Sequence, residues 1–306
     1  MMKKIICLML LIFVLCSCNV GDSTSDDTDN NNQDNTQDNT NNNENTNTPG
    51  NNVEESKEVT TTFGNFTISS LNSNAYSKNG QTITFTKAGE YTVSGSFEGS
   101  LVFNVDSKES VTLYLNNAKI TSVDNHTIYW MNNTGKIEVK AMENTVNEIN
   151  VKVHAMNLYS AIESENNIEI GGSGKLSING GQRHAVKGSN IEIKGNVDLT
   201  IEAIKDGLHG KQVLITGGNT KINNCTDAIQ VDVNSSNLKG TITIEEGNLT
   251  ISNCKRAFKA TTSVTIKQLA GCTITIKVNN TETLFETAKV NYVNGTFLVN
   301  GSAYKK

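Results

Sequence analysis

The 306-residue chain contains a single proline, a single tryptophan and four histidines. The proline, Pro49, lies in an Asn/Asp/Thr-rich stretch, so the part able to fold has none. Of the six cysteines, Cys7, Cys16 and Cys18 fall at the amino-terminal end, which leaves Cys225, Cys254 and Cys272. Three cysteines so spaced do not form a zinc-binding pattern. Nor is there a Ser-His-Asp set, a phosphate-binding loop or a helical metal motif, so the familiar hydrolase and nucleotide-binding classes are excluded. A net charge on the domain is also lacking. The formal −5 belongs elsewhere: residues 19–57 hold nine carboxylates and one lysine, and the leader holds two lysines. Of 31 acidic and 26 basic side chains, 22 and 23 remain. A near-neutral domain gives no evidence for a cationic partner, and no nucleic-acid partner is expected.

Lys3 and Lys4 precede an apolar run, Ile5 to Leu15, too short to span a membrane as a permanent helix. Leu15-Cys16-Ser17-Cys18 then resembles a bacterial lipobox. Residues 1–17 therefore read as a lipoprotein signal peptide, and Cys18 as the lipidated first residue of the mature chain. This places the protein on the cell membrane by a lipid anchor, exposed at the bacterial surface. Residues 18–57 read as a disordered tether, because hardly any apolar side chain is present to offset ordering entropy. As a coil such a tether spans roughly 35 Å, and about 130 Å when stretched.

Residues 58–306 carry a repeat. A small residue followed by an inward apolar one recurs at Ala161-Ile162, Ala185-Val186, Gly207-Leu208, Ala228-Ile229 and Ala257-Phe258, and the spacing extends to Leu284-Phe285, where the first residue is large; the intervals are 24, 22, 21, 29 and 27. Two alternating strands follow each of the first five, among them Asn190-Ile193 with Asp198-Ile201, and Gln212-Ile215 with Asn219-Ile222. Three strands per unit in constant order fit one coil of a right-handed parallel β-helix better than a sandwich of hairpins. Coils then stack at about 4.8 Å. In that register Gly207 and Ala228 sit at a crowded corner, Asp206 and Asp227 stack on the outside, and Cys225 and Cys254 share a column. The column spacing permits a disulfide, but stacked small apolar side chains are simpler, so free thiols are expected. Gly80 to Ile149 supplies irregular first coils and an N-terminal cap, needed because an open end exposes unpaired strand edges.

In order, "KAGEYTVSGSFEGSLVF" (87–103), "SVTLYLNNAKIT" (110–121), "MENTVNEI" (142–149), "AIESENNIEIGGSGKLSI" (161–178), "DGLHGKQVLITGG" (206–218) and "DAIQVDVNSSNLKGTITIEEGNLTI" (227–251) resemble a secreted bacterial β-helix family. Its members are carbohydrate-binding domain-containing proteins, related in fold to pectate lyases. The resemblance implies non-catalytic binding of cell-wall polysaccharide, including acidic pectin-like chains, with calcium bound by the helix. It departs at His184-Ala185-Val186 and Arg256-Ala257-Phe258, where that family has an aspartate, and at Gln212, which follows Lys211 in place of a second one.

For calcium, Asp206, Asp227, Asp232 and Gln230 are the candidate ligands, with Glu163 and Glu165 as a second group. Two carboxylates at rung spacing either share a cation or repel, and calcium takes six to eight oxygens. The competing account is a salt ladder in which His184 and Arg256 neutralise the pair. Lys187, His209, Lys211, Arg256 and Lys259, with Lys255, Arg183 and Lys205 nearby, form a basic stripe suited to uronate carboxylates. An aromatic platform is thin: Trp130, Tyr129, Tyr159 and Tyr292 are its candidates. A calcium-dependent lyase, with Arg256 beside Asp227, and a surface adhesin or spacer are the alternatives to a binding protein.

Overall fold

Strands of the same phase pair across coils rather than with their chain neighbours. The computed structural model describes residues 57–105, 108–131, 135–152, 158–233 and 240–305. The signal, Cys18 and the tether up to residue 56 lie outside them. One sheet stacks Ser100–Phe103, Ile128–Trp130, Ile162–Ser164, Val186–Lys187, Asp206–Gly210, Asp227–Val231, Arg256–Ala260 and Thr283–Thr287, each parallel to the next. The inward residues register as Ile162↔Val186↔Leu208↔Ile229↔Phe258↔Phe285, the column read from the repeat. The fold is a parallel β-helix.

A second sheet covers the other two faces. Its long strands, such as Gln212–Asn223 and Thr241–Ser252, round a corner. The first half of Gln212–Asn223 pairs with Asn190–Ile193 and the second half with Asp198–Glu202. Each half alternates between buried and half-buried positions, so every second side chain enters the core. Ile178, Ile201, Ile222 and Ile251 make one continuous inner column, all without solvent exposure. Each such isoleucine contributes roughly 1.5–3 kcal/mol of burial, and none could bury that surface within its own coil.

Gly207 meets a steric limit here. A Cβ on it would lie 2.6 Å from Ile222 Cγ2 and 2.7 Å from the Ala228 carbonyl oxygen. At the neighbouring corner Asn224, Asn253 and Asn280 adopt left-handed φ of 56°, 57° and 49°. Asn253 Nδ2 donates to Asn224 Oδ1 and Asn280 Nδ2 to Asn253 Oδ1, a side-chain ladder parallel to the axis. Asparagine tolerates this backbone because its short amide bonds locally.

Both ends are closed by antiparallel pairing. Val59–Phe63 with Phe66–Ser70, and Tyr76–Asn79 with Thr82–Phe85, form the N-terminal cap. At the other end Thr296–Val299 pairs with Ser302–Ala303 over a cluster of Phe285, Tyr292, Phe297 and Tyr304. Cys225 and Cys254, both buried, form a disulfide with 4.6 Å between Cα atoms. This corrects the expectation of free thiols: rung stacking brings the two Cα atoms inside the range a disulfide bridges.

Candidate functional site

Two side-chain columns flank the inward one on the sheet of short strands. Two residues before the inward apolar position, Asp206, Asp227, Arg256 and Thr283 stand in register. His184 belongs to the rung before them, since the Ala185 N–H donates to the Asp206 carbonyl. One residue after, Tyr129, Glu163, Lys187, His209, Gln230, Lys259 and Glu286 follow in order. The basic stripe thus exists for Lys187, His209 and Lys259. Gln230 interrupts it, and a carboxylate stands at either end.

The first column differs from the sequence expectation. Asp206 and Asp227 are each 1% exposed, not outward-facing. Side chains from adjacent rungs cover them. Arg256 grips Asp227 with two nitrogens, Nε on Oδ1 and Nη2 on Oδ2 at 2.9 Å, while its Nη1 reaches Glu286 at 3.1 Å. Lys259 Nζ stands 3.7 Å from the same Asp227. Asp206 Oδ2 accepts from His209 Nδ1 at 2.9 Å, and His184 Nδ1 lies equally near. Burial alone would push the Asp206 carboxyl up; His184 and then His209 outweigh it and hold the group well below the usual carboxylate range. Burial pushes His184 down, against the pull of Asp206.

Arg256 therefore relieves the charge of Asp227 without a shared calcium ion. Both Asp227 oxygens are engaged by Arg256, and Gln230 Nε2 donates to Asp232 Oδ2. Neither Asp227 nor Asp232 belongs to the cluster of potential metal ligands around Asp206. Asp206, Asp227, Gln230 and Asp232 do not fit a calcium ion, which needs several free oxygens converging on one point. Arg256 neutralises Asp227, as a salt ladder requires, whereas Asp206 stands between His184 and His209.

The second column borders open space. Lys187, His209 and Lys211 line a groove of about 250 Å³ with Glu165, Ser189 and Asp232. Asp232 also lines the next hollow, about 320 Å³, together with Lys259, Thr261 and Glu286. Lys187 Nζ is 2.6 Å from Glu163 Oε1, and Glu163 also accepts from Ser160 Oγ at 2.8 Å. Burial would raise Glu163; the Lys187 hydrogen bond and the nearby His126 overcome it, so its carboxyl stays below the ordinary value. Lys187 is thereby partly neutralised. Lys211 is exposed and has no ion pair among the described residues.

The aromatic candidates separate. Trp130 is wholly buried and stacks on Phe103, and Tyr292 belongs to the C-terminal cluster. Tyr129 and Tyr159 pack against His126 at 4.7 and 5.0 Å between ring centres, beside Glu163 at one end of the stripe. Sequence reasoning missed His126, Ser160 and Glu286 as neighbours of the stripe. Counting back two residues from the inward Ile128 and Ile162, and on one from Phe285, would have found them.

A family model described as carbohydrate-binding domain-containing protein matches residues 79–299. Among solved structures, the polysaccharide lyase-like protein from C. thermocellum, determined as a gadolinium derivative, superposes with a TM-score of 0.64 at 23% identity, covering 76% of this chain and 95% of that one. At that identity the likeness shows the fold. No curated protein matches the chain.

Proposed function

Because the chain belongs to the carbohydrate-binding domain-containing protein family, we propose that it is a surface-anchored lipoprotein that holds an acidic, pectin-like polysaccharide without cleaving it. Cys18 carries the lipid, and residues 18–57 hold the β-helix away from the membrane. The sugar chain lies along the groove of Lys187, His209 and Lys211 and continues toward Lys259. One observation carries this reading: Lys211 is exposed in that groove with no acidic partner among the described residues, beside two further basic groups. Lys187 and His209 one rung apart, with Lys211 beside them and Lys259 two rungs on, offer a polymer with repeated carboxylates more than one basic contact.

A lyase needs an unprotonated base that can take a proton from the sugar. Arg256, the best candidate by sequence, is bound to Asp227 and Glu286, and the Asp227 bond pushes its guanidinium still higher. That supports binding over cleavage. The family resemblance also implies calcium. Of the carboxylates in this groove, Glu165 is the one left to take part.

The test is retention of the full chain on insoluble acidic and neutral polysaccharides, with and without a chelator, alongside an assay for unsaturated uronide products. Retention on the acidic polymer without product is expected. Product formation would make it a lyase, and no retention on any polymer would leave an adhesin or spacer. Mass spectrometry of the mature amino terminus tests the anchor: diacylated Cys18 is expected, and a free amino group well beyond it would remove the membrane from the account.

A further inference from the structure

We propose that His184, Asp206 and His209 form a binding site for one divalent transition-metal ion of the zinc class. The proposal is independent of how the groove binds sugar. Donor atoms of these three residues all lie within 4.8 Å of one another. The Nδ1 atoms of both histidines are 2.9 Å from Asp206 Oδ2, and the two rings stand 4.3 Å apart, tilted by 34°.

The hydrogen bonding of this cluster is incomplete. His209 bonds the carboxylate. His184 Nδ1, at the same distance, is not aligned with it and has no hydrogen-bond partner, although the residue is 1% exposed. A buried polar atom left in that state costs about 1–3 kcal/mol. A metal ion among the three donors would turn the orphaned nitrogen into a ligand.

The donor set decides the metal. Two imidazole nitrogens and one carboxylate oxygen suit zinc and its neighbours, whereas calcium selects oxygen alone. Ligands held tetrahedrally at about 2.0–2.2 Å from a shared zinc are themselves roughly 3.3–3.6 Å apart, so the 2.9 Å nitrogen-to-oxygen spacings here need to open by only a few tenths of an ångström. The scaffold is rigid: His184 and Asp206 occupy successive rungs, fixed by the 3.0 Å bond from the Ala185 N–H to the Asp206 carbonyl. Access is available too, because the His209 side chain is 21% exposed and lines the groove.

Titration of the full chain with cobalt(II), followed by its visible absorption, and with zinc in a calorimeter, tests this. One equivalent should bind with imidazole-type cobalt spectra, and a large excess of calcium should not displace it. His209→Ala and His184→Ala should each weaken binding by more than the roughly 10–100-fold that loss of a mere outer partner costs, while His126→Ala should leave it unchanged. Should His184→Ala fail to fold by circular dichroism, the partly exposed His209→Ala carries the test. Binding that is absent in the wild type, survives His209→Ala intact, or yields to calcium would overturn the proposal.

Discussion

Replacing Arg256 with alanine leaves Asp227 buried and stripped of its two-nitrogen partner. Asp227 is 1% exposed, so water cannot take the guanidinium's place without opening the corner. Removing one member of a buried pair costs about 3–5 kcal/mol. Lys259, 3.7 Å from Asp227, compensates in part, which puts the cost near the lower end, about 3 kcal/mol. For a domain of this size that is a fall in Tm of about 6–12 °C. Asp227→Asn should cost less, about 1.5 kcal/mol, because Arg256 keeps Glu286 and its own contact with water. The double variant is the sharper comparison: with no orphaned charge, it should be more stable than Arg256→Ala alone. Thermal and urea unfolding of the four proteins measure this. A loss under about 1 kcal/mol for Arg256→Ala, or a double variant weaker than it, would refute a buried, ladder-neutralised aspartate.

Other expectations concern the scaffold. Gly207→Ala places a methyl group against Ile222 and the Ala228 carbonyl, so unfolding experiments should show a loss of about 1–3 kcal/mol; an unchanged Tm would contradict the crowded corner. Opening the Cys225–Cys254 disulfide, which closes a separation of 29 residues, should cost up to about 3.5 kcal/mol of chain entropy. Alkylation of the denatured, unreduced chain should leave that pair unlabelled, and labelling of both would show free thiols. Glu163 and Glu169 are held below the ordinary carboxylate range: burial opposes this in both, but Lys187 and His126 outweigh it for the first, and Lys136 and Lys194 for the second. A depressed folded value means that their contribution is complete above the unfolded value of about 4.3. It is lost as pH falls through the folded values. Tm should decline on acidification below about pH 5, with a steeper fall than in Glu163→Gln; parallel curves would contradict the assignment.

The fold was legible because the inward column is a property of sequence spacing. A small residue and an apolar one recurring from Ala161-Ile162 to Ala257-Phe258 gave the rungs, and the structure pairs the apolar residues in that register and carries it on to Phe285. The irregular interval of 29 between Ala228 and Ala257 does not break it: Ile229 still pairs in register with Phe258. The site was legible only as columns. Spacing told which residues share a column, Asp206 with Asp227 and Lys187 with His209, but not which side chains lie over which. Arg256 and His184 were named as partners of the aspartates, yet their covering effect, which makes the column buried rather than exposed, depends on side-chain reach from neighbouring rungs. The asparagine ladder at Asn224, Asn253 and Asn280 was visible in principle, since each follows a strand end at nearly constant spacing. The C-terminal aromatic closure was not, because Tyr292 and Tyr304 lie beyond the last regular repeat.

Migration of the full chain through a gel containing an acidic polysaccharide, compared with its migration in a plain gel, tests the central claim most directly. The comparison is wild type against Lys211→Ala in the groove and Lys277→Ala, an exposed lysine on the other sheet. An exposed ion pair contributes about 0.2–1 kcal/mol, so Lys211→Ala should weaken retardation by up to about fivefold, and the difference should shrink as salt is raised. Lys277→Ala should migrate like the wild type. Equal effects of the two substitutions, or no retardation of the wild type in the acidic gel, would contradict a polysaccharide site in the Lys187–His209–Lys211 groove.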